Sequence, residues 1–302
     1  MPDGISSGTW IDLMRQGEFE EAWKFSDEIL KSGYHRDYLT LPRHYQCIWD
    51  GSNLAGKRVL IRCYHGLGDT IMFIRYAPLV KATASEVIVW AQPKLLDLLE
   101  TAEGIDRLLP LHDGIPEAEY DIDVEIMELS HVFRTTLPTI PSKMPYLNVR
   151  PVHIAPEDTF NVGLVWMAGD WDLSRNVPFE LLNPLFELDG INICILQDKA
   201  EDAGWREGYG IHPGECTLFD HARIIAGLDL MITVDSMPAH LAGAMNIPTW
   251  VLLSYRPDWR WMTERRDSPW YPSVRLFRQK SEGDWEGVIG EVIFELKKRK
   301  EN

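Results

Sequence analysis

The pattern of apolar runs and polar turns predicts two successive α/β segments. In the first segment, strands at 58–63, 86–90 and 120–124 alternate with helices at 71–81 and 95–99. In the second segment, strands at 161–166, 191–196, 230–234 and 249–253 alternate with helices at 179–188, 221–227 and 238–245. Strands separated by helices at such short spacing imply parallel, doubly wound sheets. We therefore expect two Rossmann-like domains, with ligands outside the carboxyl ends of their strands.

The ends of the chain carry helical patterns of their own. Residues 9–31 are amphipathic with a break at Gly17, as in one tetratricopeptide-type helix hairpin. Since a single repeat cannot form a solenoid, a helical cap docked on the next domain is favoured over a protein-docking module. The expected organisation is given by four ranges: a hairpin segment at 1–50, domains at 57–150 and 160–283, and a C-terminal helix at 284–302. A proline-rich stretch at 137–145 is the candidate linker.

Composition and charge narrow the class of protein. The 302 residues are 45% hydrophobic and 25% charged, and the net charge is −16. Such acidity disfavours nucleic acids and anionic membranes as partners, and no apolar run is long enough to insert into a bilayer. The N-terminus lacks the features of a signal peptide, and the cysteines show no metal-ligand spacing; they are Cys47, Cys63, Cys194 and Cys216. We expect reduced thiols, no bound metal and a cytoplasmic location.

A strand-to-helix turn at 234–244 is the most informative motif. The apolar strand ends in Asp235-Ser236, and a helix follows with Pro238 in its first turn and His240 one turn in. Ser236 is a good N-cap, and the unpaired amides of a helix start attract anions. We expect a diphosphate here with His240 as a donor, while Asp235 holds the turn, His240 or a sugar hydroxyl. The alternative is a satisfied histidine at a helix start.

A second turn follows the first strand of the chain. Gly66 and Gly68 either let the backbone approach a ligand or supply positive φ in a tight turn. Asp69 is either the N-cap of the next helix or a carboxylate that removes a proton from an acceptor hydroxyl. Since both turns follow strand ends, we expect them to face each other across a cleft between the domains.

Three stretches together resemble the heptosyltransferase-like glycosyltransferases of family 9, which have the GT-B fold, and particularly members with a short tetratricopeptide segment. These are Arg62–Ile71, with Gly66, Gly68 and Asp69; Val162–Asp170, followed by Arg175; and Val234–Ala244. The resemblance covers residues from Lys57 to the C-terminus. Its departures are a serine at 236, where the family commonly has threonine, and no lysine around 214–219.

The resemblance implies an inverting transferase without an obligatory metal or cofactor. It places a nucleotide-diphosphate-sugar donor in the C-terminal domain and an acceptor in the N-terminal domain, with Asp69 as the general base. The donor-binding residues expected are Gly66, Gly68, Arg175, Gln197, Asp235, Ser236, Met237 and His240. Arg175 would neutralise the leaving diphosphate, unless it is a surface-loop residue, and Gln197 would read the nucleotide base.

Other functions and partners stay open at this point. The alternatives are a GT-B-fold sugar-nucleotide epimerase or hydrolase, and a non-catalytic module that binds a sugar nucleotide or a protein. The acceptor is a glycan, a lipid-linked glycan or a protein. Tryptophans between 257 and 272 either stack on sugars or bases or pack between loops.

Overall fold

The computed structural model describes residues 7–33, 42, 43, 46, 48–170 and 172–300. The chain divides into two compact units, Met1–Asn148 and Val149–Asn302. The proline-rich stretch at 137–145 belongs to the first unit, in which Ile140 is buried. It is therefore a packed segment, and the division between the units follows it. Cys47 lies outside the described residues.

The first unit begins with a helix hairpin. Helix α1 spans Ser7–Gln16 and α2 spans Phe19–Ser32, separated by Gly17 at φ +83°. The Trp23 indole donates a hydrogen bond to the Thr135 carbonyl over 2.7 Å. The same ring stacks on His131 with centroids 5.6 Å apart. These contacts tie the hairpin to the rest of the first unit, as expected of a helical cap.

The sheet of the first unit has four parallel strands in the order β3-β2-β1-β4. The strands are β1 Arg58–Arg62, β2 Glu86–Ala91, β3 Arg107–Pro110 and β4 Ile122–Glu125. The helices are α3 Leu67–Phe73, α4 Ala77–Lys81, α5 Leu96–Leu99 and α6 Leu129–Val132, with 3-10 turns at Ile74–Tyr76, Pro93–Leu95, Ile126–Glu128 and Leu137–Thr139.

Two features of this sheet differ from the expectation. The helix predicted at 71–81 is interrupted at Ile74–Tyr76, since Pro78 lacks the amide hydrogen that would bond the Ile74 carbonyl in a continuous α-helix. Strand β3 was not predicted. Buried and exposed positions do not alternate along it, because both of its middle residues are half-buried.

The second unit has five parallel strands in the order β6-β5-β7-β8-β9. The strands are β5 Phe160–Val165, β6 Ile191–Ile195, β7 Leu230–Val234, β8 Thr249–Leu253 and β9 Val274–Arg278. The helices are α7 Leu218–Ala226, α8 Met237–Ala244 and α9 Trp285–Lys300, with 3-10 helices at Leu173–Arg175, Phe179–Leu185 and Trp259–Trp261. The helix predicted at 179–188 is a 3-10 helix because Pro184 lies inside it.

Burial explains why these runs form central strands. All five residues of β7 and of β8 are buried, as expected for strands covered on both faces. Helix α9 packs an apolar face on this core through Trp285, Val288, Ile289, Val292 and Leu296. Two parallel α/β sheets of Rossmann-like character are thus confirmed. In the part of the chain that the structure describes, we find no helix with the length and apolar character needed to cross a membrane.

Candidate functional site

The start of α8 is built as the sequence predicted. Ser236 is the N-cap residue in extended geometry, and its hydroxyl donates to the Val234 carbonyl over 3.2 Å instead of capping the helix. Pro238 lies in the first turn and Met237, half-buried, is the first helical residue. The first-turn amides of α8 therefore receive no side-chain cap, which is the arrangement that binds anions.

Arg175 lies against this turn. Its guanidinium is buried, with 7% of the residue exposed, and Nη1 donates to the Asp235 carbonyl over 2.8 Å. The interpretation of Arg175 as a surface-loop residue is therefore wrong. The short 3-10 helix Leu173–Arg175, begun by an Asp172 side chain that accepts from the Ser174 amide, turns the guanidinium inward. Arg175 thus joins the loop after β5 to the end of β7.

His240 is held inside a cluster of aromatic rings. Its Nδ1 lies 2.9 Å from the Tyr271 hydroxyl, and its ring stacks on Trp261 with centroids 5.4 Å apart. Gly243, one turn later in α8, allows this packing, since a Cβ there would lie 2.6 Å from the Tyr271 ring. The imidazole is thus fixed by its neighbours, and Nδ1 has a hydrogen-bond partner, as the alternative interpretation of His240 expects. The contact of His240 with a diphosphate stays a prediction.

Asp235 is surrounded by charged and aromatic side chains that sequence reasoning missed. The carboxyl is buried, and burial together with the charge of Asp258 raises its pKa to about 6, against the opposing effects of the Trp261 side chain, Arg175 and Arg260. Asp258 caps the 3-10 helix Trp259–Trp261 by accepting from the Arg260 amide, and also contacts the Arg260 guanidinium over 2.9 Å. The tryptophan-rich sequence at 257–261 was the only signal for this packing.

Gln197 is buried at the end of β6, where its side chain bonds the main chain. Its Oε1 accepts from the Trp166 and Met167 amides, and its Nε2 donates to the Asp198 carbonyl. Gln197 therefore fastens the ends of β5 and β6 together, and its role as a reader of the base stays a prediction.

A cavity of about 980 Å³ lies outside the carboxyl end of β6. Its lining includes Gln197, Asp198, Trp205, His212 and His221. Trp205 stacks on His212 with centroids 4.9 Å apart. The volume falls in the upper range of small-molecule sites.

In the first unit, Asp69 is tied to the turn that precedes α3. Gly66 is the N-cap residue, and its amide donates to Asp69 Oδ2 over 2.9 Å. Gly66 has φ −67° and Gly68 lies within α3, so the positive-φ explanation of these glycines is wrong. A Cβ on Gly66 would lie 3.2 Å from Asp69 Oδ2, and this close approach accounts for glycine there. The interpretation of Asp69 as the N-cap is therefore wrong: Asp69 is the third residue of α3, and its side chain caps the Gly66 amide. Its role as a base stays a prediction.

Glu125, at the end of β4, is the other residue that sequence reasoning missed. Its side chain is buried, and Oε2 lies 3.6 Å from Nε2 of His65 in the same turn as Gly66. Burial first, and then the charge of Glu128, raise the pKa of Glu125 well above its ordinary value. No local motif marked this residue, because its neighbours on the turn are some sixty positions earlier in the chain.

Comparison with solved structures identifies the architecture. A family 9 glycosyl transferase from Veillonella parvula superposes with a TM-score of 0.56 at 13% identity, covering 82% of this chain and 98% of the other. The ADP-heptose lipopolysaccharide heptosyltransferase II of E. coli gives 0.56 at 16% identity, covering 80% and 99%. The protein has the fold of the family 9 glycosyltransferases.

A third structure with this family 9 fold is the iron-containing dodecameric glycosyltransferase TibC of enterotoxigenic E. coli, with a TM-score of 0.53 at 14% identity over 83% of this chain and 78% of that one. Among the described residues here, we find no group of three or more His, Cys, Asp or Glu side chains arranged to hold a metal ion.

Sequence comparison gives a more limited result. No family model matches the chain. Protein FlbA of Caulobacter vibrioides is 27% identical over 293 residues, which cover 82% of this chain. The chain spans about half of that relative, 48% of its length.

Proposed function

We propose that the protein is an inverting glycosyltransferase that moves a sugar from a nucleotide-diphosphate-sugar to an acceptor hydroxyl. The observation that carries the proposal is the hydrogen bond from Arg175 to the Asp235 carbonyl, at the start of α8, where no side chain caps the helix. It places a buried guanidinium and a helix N-terminus together, on a fold that an ADP-heptose-dependent transferase also has. Both groups attract the negative charge of a diphosphate.

The second unit would bind the donor. When the bond from the anomeric carbon to the phosphate oxygen breaks, negative charge develops on the diphosphate. Fixed amides of α8 and the Arg175 guanidinium would stabilise that charge without reorganising. The cavity lined by Trp205 and His212 supplies a further space for the nucleotide in this unit.

The first unit would activate the acceptor. Asp69 would take the hydroxyl proton while the acceptor oxygen attacks the anomeric carbon from the side opposite the leaving group. A single displacement of this kind inverts the configuration at that carbon. The acceptor is a glycan, a lipid-linked glycan or a protein hydroxyl, and no cofactor is required by this chemistry.

The proposal is tested by a thermal-shift screen with ADP-, UDP-, GDP- and dTDP-sugars, repeated with His240→Ala. A ligand that binds only the folded protein raises its melting temperature. We expect one nucleotide to do so, and we expect the variant to lose the shift because the Tyr271–His240–Trp261 packing supports the start of α8. Folded protein that responds to none of these nucleotides would refute the proposal and favour a binding module for another ligand.

A further inference from the structure

Glu125 lies where ligands bind to open parallel sheets. It is the last residue of β4 and pairs with Arg62, the last residue of β1. In the strand order β3-β2-β1-β4, the chain passes from β1 to β2 on one side, while β4 pairs with β1 on the other side. The ends of β1 and β4 therefore flank the point where the strand order reverses, which is where open parallel sheets bind ligands. Glu125 therefore stands beside the turn that leads from β1 to Asp69.

The Glu125 carboxyl is poorly satisfied for a buried acid. The residue is 1% exposed, and Oε2 accepts from the Met127 amide over 2.7 Å. Within the described chain, Oε1 has no hydrogen-bond partner, and the Tyr64 main-chain amide is a further group that lowers the pKa of the carboxyl. Arg62, its neighbour in the strand register, bonds Asp123 instead. Burying a carboxyl group with so few partners is destabilising, so its presence calls for a function.

Burial and nearby carboxylates favour the protonated form of Glu125. Glu128 accepts from the amides of Glu125, Ile48 and Trp49, and Asp69 accepts from Gly66. Burial and the charges of Glu128 and Asp69 raise the pKa of Glu125, and burial raises that of the adjacent Cys63 thiol as well. Glu125 thus lies near two carboxylates, and its Oε2 is 3.6 Å from the His65 imidazole.

The turn that carries His65 is fixed from two strands. On one side Gln92, which follows β2, donates from Nε2 to the His65 carbonyl over 2.8 Å and accepts from the Thr70 hydroxyl over 3.0 Å. On the other side Glu125 contacts the His65 imidazole. The main chain of the turn is therefore held by Gln92, and the imidazole lies within ion-pair distance of Glu125.

We propose, on the basis of the transferase function above, that Glu125 is a positioning residue that acts through His65. Its carboxyl group fixes the imidazole beside Asp69, so that His65 hydrogen-bonds the acceptor oxygen while Asp69 takes the acceptor proton. The acceptor O–H bond breaks, the oxygen pair forms the new bond to the anomeric carbon, and the bond from that carbon to phosphate breaks with its electrons on the diphosphate. Glu125 neither gains nor loses a proton.

The experiment measures hydrolysis of the nucleotide-sugar that gives the largest thermal shift, with water as the acceptor. Glu125→Leu and His65→Ala should each lower kcat roughly tenfold to a hundredfold and leave the donor KM unchanged. Because one residue acts through the other, the double variant should be no slower than His65→Ala alone. Glu125→Gln should keep most of the activity, since its amide can still accept from Met127 and contact His65.

The control and the contrary outcomes are distinct. Glu119→Leu removes an exposed acid of the same unit and should leave kcat unchanged. Full activity of His65→Ala, or losses that multiply in the double variant, would overturn the positioning role. If Glu125→Leu does not fold, His65→Ala and Glu125→Gln still test the positioning role. A Glu125→Gln variant as slow as His65→Ala would contradict that role. Wild-type protein that binds no nucleotide-sugar and hydrolyses none overturns the proposed function and this inference together.

Discussion

Arg175 donates a hydrogen bond from Nη1 to the main-chain carbonyl of Asp235, and both residues are buried. The contact joins the loop after β5 to the turn that starts α8, across 60 positions of the chain. A guanidinium group is planar, and its parallel N–H donors match two phosphate oxygens. The hydrogen bond gives Arg175 a structural role, and its role in binding phosphate stays a prediction.

Arg175→Lys should separate these two roles. A lysine keeps the charge and can still reach a carbonyl, but it cannot offer two parallel N–H donors to a phosphate. We expect the variant to fold and to bind the selected nucleotide roughly tenfold more weakly, measured by calorimetric titration. Arg266→Lys, an exposed arginine of the same unit, is the matched control. Equal nucleotide affinity in Arg175→Lys and wild type would count against Arg175 as a phosphate ligand.

Asp69→Asn tests the general base without removing the helix cap. The amide oxygen of asparagine can still accept from Gly66, so we expect the turn and the nucleotide affinity to be retained. The rate of transfer or donor hydrolysis should fall roughly a hundredfold or more, because asparagine cannot take a proton. Asp97→Asn makes the same change at the exposed start of α5 and should be silent. An Asp69→Asn enzyme with the wild-type rate would assign the residue to capping alone.

Gly243→Ala should disturb the packing that holds His240. The new methyl would lie 2.6 Å from the Tyr271 ring, so the ring must move away from α8. We expect a loss of about 1–3 kcal/mol in the free energy of unfolding, measured in urea, with weaker nucleotide binding. Gly290→Ala in α9, with no atom within 4 Å of the new methyl, should be stabilising by about 1 kcal/mol or neutral. A Gly243→Ala protein as stable as wild type would show that Tyr271 has room to shift.

Asp235→Asn should change how stability depends on pH. The folded-state pKa of Asp235, about 6, is above the unfolded value. Its favourable contribution is therefore complete below the unfolded pKa and is lost as pH rises through about 6. Relative to Asp235→Asn, the wild type should lose about 2 kcal/mol of unfolding free energy between pH 4 and pH 7. Asp158→Asn, at an exposed position, should have the same pH dependence of stability as the wild type. If the difference in unfolding free energy between wild type and Asp235→Asn stays constant across this pH range, the raised pKa of Asp235 is refuted.

Local sequence patterns gave correct predictions for features that depend on a single strand or helix. The apolar run at 230–234 became the fully buried strand β7, and Ser236 with Pro238 began α8 as predicted. Proline limited the same reasoning at 71–81 and 179–188, where the helical period is present but Pro78 and Pro184 prevent a continuous α-helix. Local sequence patterns therefore predict where a helix lies, but they do not predict which of its turns are α-helical and which are 3-10.

The sequence by itself determined the alternation of strands and helices, the two turns that follow strand ends, and the motifs that resemble family 9 glycosyltransferases. Only the tertiary structure decided that Arg175 is buried against Asp235, that Asp258 and Arg260 surround the same carboxyl, and that Glu125 lies beside His65. The physical reason is distance along the chain. Helix and strand propensities act over a few residues, whereas burial and charge coupling arise from parallel strands that bring residues sixty positions apart to the same sheet edge.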